Sequence, residues 1–189
     1  MNDQRIAPEW FSALEGIADP MLSSFAGVSV WASTTTFRTW PEIEPSAHEF
    51  NCRKGRSLLL GADGTMSAAE IEVTRSFRDS GWHAGWLATC GRRNPMWRTY
   101  MLAVTTPMVS ILPDPLPLVP ARIAAVLVRN GSAGYPDVVA CRNERHPVFV
   151  ELKGPGDTGT SQAKWLSAAI AKGDVTLDDF LLLSWTAEQ

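Results

Sequence analysis

In "GYPDVVACRNERHPVFVELKGPGDTGTSQAKW", residues 134 to 165, an aspartate opens one apolar run and a Glu-Leu-Lys triplet closes the next. The runs "DVVAC" and "VFVEL" are strand-like, and the polar "RNERHP" between them makes a hairpin the economical arrangement. Side chains alternate along a strand, so Glu151 and Lys153 share a face while Leu152 points away. In such a hairpin Asp137 comes level with the end of the second strand, and two carboxylates and an amine gather at one edge. Carboxylates this close repel and raise each other's pKa unless a cation intervenes. Lys153 supplies one positive charge; a divalent metal would supply two, and oxygen ligands favour Mg²⁺ or Mn²⁺. The ordinary alternative is an ion-paired strand end of little energetic consequence.

The elements around this edge follow from periodicity. "GADGTMSAAEIEVTRSFRDSGW" is the clearest helix, with Ser67 able to cap it and Gly81 to end it. At about 100° per residue, Met66, Ala69, Val73 and Phe77 form one apolar stripe. Glu70 lies within that stripe and Glu72 well outside it, toward solvent. Ser67-x-x-Glu70 also fits a capping box, so spacing leaves Glu70 open between a cap and a functional carboxylate. "WHAGWLAT" reads as a strand, "RTYMLAVTT" as a strand or short helix, and "PMVSILPDPLPLVP" as loop. "ARIAAVLVRN" and "SQAKWLSAAIAKG" read as helices, and "FLLLSW" as a closing strand. Toward the N-terminus, a helix is expected within "PEWFSALEGIADPMLSSFAG", a strand at "VSVWASTTTF" and a loop at "WPEIEPSAHEFNCRKGR".

The order "GYPDVVA", "VFVELKGPGD", "SQAKWL" resembles the VRR-NUC nuclease domain, a branch of the PD-(D/E)xK superfamily. The likeness is nearest to the nuclease domain of the Fanconi-associated nuclease and to short bacterial and phage relatives. It spans roughly residues 120–185. The resemblance implies an α/β fold with a restriction-endonuclease-like PD-(D/E)xK core, a central mixed sheet flanked by helices. It implies a nuclease domain over 61–189, preceded by an N-terminal extension, 1–60, of unknown role. It further implies that Asp137, Glu151, the Leu152 backbone carbonyl and Glu70 hold Mg²⁺ or Mn²⁺, with Glu72 the fallback for Glu70. Lys153 would orient or activate the attacking water, and Gln162 matches the family's glutamine. The link "DTGTSQ" is a residue shorter than the family's usual spacing, with Gly159 where a leucine is often found.

Composition is compatible with this and excludes some alternatives. The 189 residues are 45% hydrophobic and 20% charged, as in a globular domain with a real core. Cys52, Cys90 and Cys141 are odd in number and lack a CxxC pair, which argues against disulfides and structural zinc. His48, His83 and His146 are equally dispersed. The eight tryptophans are expected to fill the core rather than stack on bases. No run of about 18 apolar residues exists, so cytoplasmic synthesis without a membrane span is the expectation. The resemblance implies phosphodiester hydrolysis on DNA, with family members acting on branched or flap substrates in replication and repair, sometimes as homodimers. An antibacterial or anti-phage DNase toxin, secreted by a specialised system and held by an immunity protein, shares the same chemistry. A non-catalytic DNA-binding module is the third reading. With a net charge of -3, phosphate contacts must be local: Arg53, Lys54 and Arg56 in "CRKGR", and Arg92, Arg93 and Arg98 in "GRRNPMWR". A solvated basic loop is the plainer account of both. Neutralising Arg92 and Arg93 is expected to weaken DNA binding and flatten its salt dependence, as a titration at several ionic strengths would show.

Overall fold

The computed structural model describes residues 8–16, 18–25, 27–39, 59–62, 64, 66–88, 96–97, 121–130, 134–142, 147–157 and 160–188. Trp40, His48, Cys52, Cys90, His146, the six basic residues just named, "RTYMLAVTT" and the proline-rich segment lie outside them. The described strands are β1 (Met21–Phe25), β2 (Val28–Arg38), β3 (Leu59–Leu60), β4 (Met66–Ser67), β5 (His83–Ala88), β6 (Met96–Trp97), β7 (Val138–Cys141), β8 (Pro147–Lys153) and β9 (Phe180–Glu188). The α-helices are α1 (Ala69–Asp79), α2 (Ala121–Arg129) and α3 (Thr160–Ala171).

One mixed sheet carries the chain, in the order β1-β2-β9-β8-β7-β5-β6, with β3 and β4 pairing separately. β5, β7 and β8 are antiparallel neighbours, whereas β9 lies between β2 and β8 and parallel to both. A parallel neighbour needs a crossover, and α3 provides it between β8 and β9. The expected closing strand is therefore central. Its composition explains this: Phe180, Leu181, Leu183 and Trp185 are buried, and so is every residue of β8 from Val148 to Leu152. Strands covered on both faces read as continuous apolar runs.

Helices lie on both faces. Ala69, Val73 and Phe77 of α1 pack with Val138, Ala140, Val148, Val150, Leu181 and Leu183. Ile123 and Leu127 of α2 and Trp165, Leu166 and Ala169 of α3 pack with Val139, Cys141, Phe149 and Phe180 on the other face. The two lists alternate along β7 and β8, as the pleat requires.

The N-terminal region departs from expectation. Among the described residues of 8–27 there is no α-helix; a short 3₁₀ helix, Glu9–Leu14, precedes β1, which folds back on β2. Pro20 cannot continue a helix, and "MLSSF" finds an antiparallel partner instead. Nor does this stretch stand apart as an extension. β2 pairs with β9 over eight residues, and Trp10, Leu14 and Trp31 enter the α1-side core. Asp178 joins the two ends of the chain: its carbonyl accepts from Trp10 Nε1 at 2.7 Å, its carboxylate from Trp31 Nε1 at 3.0 Å. The described tryptophans whose burial is resolved are all in the core, as packing predicts. Asp178→Ala strands the Trp31 indole N–H and should cost about 1–2 kcal/mol in chemical denaturation, while Asp178→Asn, which keeps an acceptor, should cost less.

Candidate active site

The hairpin pairs Val138 with Val150 and Ala140 with Val148, so Asp137 stands level with Glu151. Leu87 N–H donates to the Asp137 carbonyl at 2.8 Å, so the Asp137 backbone faces β5 and that of Pro136, like Val138, faces β8. Proline has no N–H, and the antiparallel ladder ends there. Leu152 N–H, which would have continued it, donates to Asp137 Oδ2 at 3.0 Å. A residue's N–H and C=O point to the same side of a strand. The Leu152 carbonyl therefore also faces Pro136 and receives no donor from that backbone.

Glu151 has the parity of Phe149 and lies on the face covered by α2 and α3. It is 1% exposed, and its carboxylate accepts a charge-assisted hydrogen bond from Lys153 Nζ, whose side chain keeps 13% exposure. A carboxylate so deeply buried requires such a partner. Asp137 and Lys153 are both half-buried, so the group opens to solvent at the strand end.

Glu70 is 2% exposed, in keeping with its inward angle. The capping box is absent. The N-cap is Ala68, and Ser67 lies in β4 with its hydroxyl donated to Glu72. Glu72 does not face solvent either: it is 7% exposed. The β3–β4 hairpin folds over that flank of the helix, and the carboxylate also accepts from Ala62 N–H at 3.1 Å and faces Arg75 at 3.5 Å. Glu72 is thus committed to binding the hairpin to α1. Glu70 is not assembled with the others into a cage. Among the described residues, no three His, Cys, Asp or Glu side chains converge as a ready-made metal site. α1 packs on the face opposite Glu151. Three residues, Ser80–Trp82, separate α1 from β5, so the two run back to back. From Glu70 to the end of α1 and from His83 to Leu87 are each about 13 Å, which returns Glu70 to the Asp137 end of the sheet.

Gln162 lies in the first turn of α3. α3 begins at Thr160, and Gly134 packs directly on its first turn: a methyl group on Gly134 would collide with the Ser161 carbonyl and stand 2.9 Å from Gln162 N. The Gln162 side chain accepts from Ser161 Oγ at 2.9 Å. Trp165, one turn on, is structural. It lies against Phe149 with centroids 5.3 Å apart, and its Nε1 donates to Leu127 O at 3.3 Å. Asp157 closes the Gly-Pro-Gly turn, accepting from Gly154 N–H at 3.2 Å. Gly154 leaves no room for a side chain, since a methyl there would stand 2.7 Å from the Trp185 ring.

Sequence reasoning missed three contributors, Gly134, Pro136 and Gly154, all backbone effects. Pro136, a proline before a buried strand, was the legible signal. Tyr135, between the first two, is 2% exposed, and burial raises its phenol pKa. Its hydroxyl bonds to no described residue.

Gly134 combines a φ of +82° with the close approach to α3, so Gly134→Ala should cost about 3 kcal/mol, or roughly 6–12 °C in a thermal melt. Gly156 shares that φ but faces open space, so Gly156→Ala should cost only about 1 kcal/mol. No family model, curated protein or solved structure matches the chain.

Proposed function

We propose that this chain is a divalent-metal-dependent DNA nuclease of the VRR-NUC kind, with Asp137, Glu151 and Lys153 as its reactive centre. The observation that carries the reading is the β7–β8 register, which sets Asp137 level with Glu151 and hands its carboxylate the Leu152 N–H. A mixed sheet flanked by helices, with this edge at the junction of three strands and the start of α3, is consistent with a PD-(D/E)xK core.

The donors fit a hard cation. Asp137 and Glu151 offer carboxylate oxygens, and Pro136 leaves the Leu152 carbonyl without a ladder donor, so three oxygens of the type Mg²⁺ and Mn²⁺ prefer stand at one strand end. A bound divalent ion would supply Lewis-acid stabilisation of the charge that builds on a phosphodiester during hydrolysis. The chain's own contributions follow from the contacts described. Asp137, tethered by Leu152 N–H, is oriented before anything binds. Glu151 is held by Lys153 while no stronger cation competes, which gives a buried carboxylate the partner its burial requires. Lys153 has three N–H donors and spends one on Glu151; the others can hold a water or a phosphate oxygen at the open side. Glu70, on the helix that covers the other face, is the candidate additional acidic group, and Gln162 borders the segment leading to Asp137.

Asp137→Asn and Glu151→Gln should each lower cleavage in Mg²⁺ by about 10²–10³-fold or more and remove metal binding in titration calorimetry. Lys153→Ala should impair cleavage while sparing metal affinity. The assay is a panel of single-stranded, duplex, flap and four-way-junction DNA in Mg²⁺ and Mn²⁺. A Glu151→Gln protein that still cuts would sink the assignment.

A further inference from the structure

The rows of the sheet continue past the Lys153 end on the same face. Lys153 pairs with Ser184, which pairs with Thr34. The next row is Thr186 beside Thr36, and the next Glu188 beside Arg38. Parallel partners share a face, so these side chains lie on the side that carries Glu151 and Lys153. Burial falls away along the strip. Leu182 and Ala32, level with Glu151, are half-buried; Thr34, Thr36, Arg38, Thr186 and Glu188 are exposed. The underside is rigid and apolar: Leu183 and Trp185 are in the α1-side core, and Phe37 stands edge-on to Trp185 at 6.1 Å.

We propose that this strip is a binding track for the sugar–phosphate backbone of a single DNA strand leading to or from Lys153. The proposal rests on the nuclease reading and specifies how that site takes its substrate. Four features favour this occupant. The strip is continuous with the candidate active site. It presents hydroxyls: Thr36 and Thr186 hydrogen-bond to each other at 3.2 Å, which leaves one of the pair to donate outward beside Thr34, and hydroxyls are standard donors to phosphate oxygens. Successive rows stand about 6.6–6.8 Å apart, a step suited to successive phosphates. Lys153 and Arg38 offer cationic N–H donors at the two ends, although each stands beside a carboxylate, Glu151 and Glu188 respectively.

The test measures binding of a labelled single-stranded DNA oligonucleotide by fluorescence anisotropy in EDTA, with cleavage of the same oligonucleotide in Mg²⁺ alongside. A Thr34→Val/Thr36→Val/Thr186→Val protein keeps β-branched residues in the strands and loses only hydroxyls. It should bind about tenfold more weakly or worse. Arg38→Gln should weaken binding and lower the salt slope by about one. Glu188→Gln, which unmasks Arg38, should tighten binding several-fold even if the triple variant folds poorly. Unchanged affinity in all three variants overturns the track, as does a wild type that binds no DNA. The two readings separate cleanly. A wild type that cleaves, with KM unchanged in the variants, removes the track and leaves the nuclease. One that binds without cleaving, and loses affinity in the variants, does the reverse.

Discussion

The hydrogen bond from Leu152 N–H to Asp137 Oδ2 stands where a backbone ladder bond would otherwise be, and the candidate site depends on that substitution. Pro136 cannot donate, so β7 stops pairing with β8 one residue before Asp137 would be absorbed into an ordinary ladder. The aspartate side chain takes the orphaned amide, and the matching carbonyl is left facing the same gap. One imino acid thereby converts the end of a buried hairpin into a cluster of oxygen acceptors. Everything else around the edge holds this arrangement still. Gly134 lets α3 press on the backbone two residues before Pro136, Asp157 closes the following turn, and Trp185 fills the space that a side chain at Gly154 would need.

The two buried carboxylates of α1 show how near neighbours on one helix come to differ in their surroundings. Glu72 is surrounded by donors from the β3–β4 hairpin, and its role is to bind that hairpin to the helix. Glu70, two residues away, is more deeply buried. Angular position on the helix correctly turned Glu70 inward. It misjudged Glu72, because a wheel diagram knows nothing of a distant segment folding over the far flank.

Local pattern made much of the site legible. Alternation and an economical turn sufficed to bring Asp137 level with Glu151 and to put Lys153 on the same face. The strands β2, β5, β7, β8 and β9 and the three α-helices could be read from apolar runs and period. What escaped was long-range. "MLSSF" has no strand signature of its own and becomes β1 by pairing with β2. Residues 1–60 looked separable because nothing local links β2, which lies among them, to β9, about 150 positions away. The decisive contacts, Asp178 with Trp10 and Trp31, join groups that no window of sequence holds together.

That same central placement of β9 bears on when the molecule comes into being. A nascent chain that has not reached residue 180 holds β1 and β2 on one side and β5, β7 and β8 on the other, with no strand to join them. Loop-closure entropy across so long a span must be overcome before the joining strand returns any contact energy, which slows folding and couples the halves into one late event. The edge bearing Glu151 and Lys153 has its β9 neighbour only once that event has occurred. Assembly of this edge thus waits for residues 180–188, and fragments that stop short of them lack it.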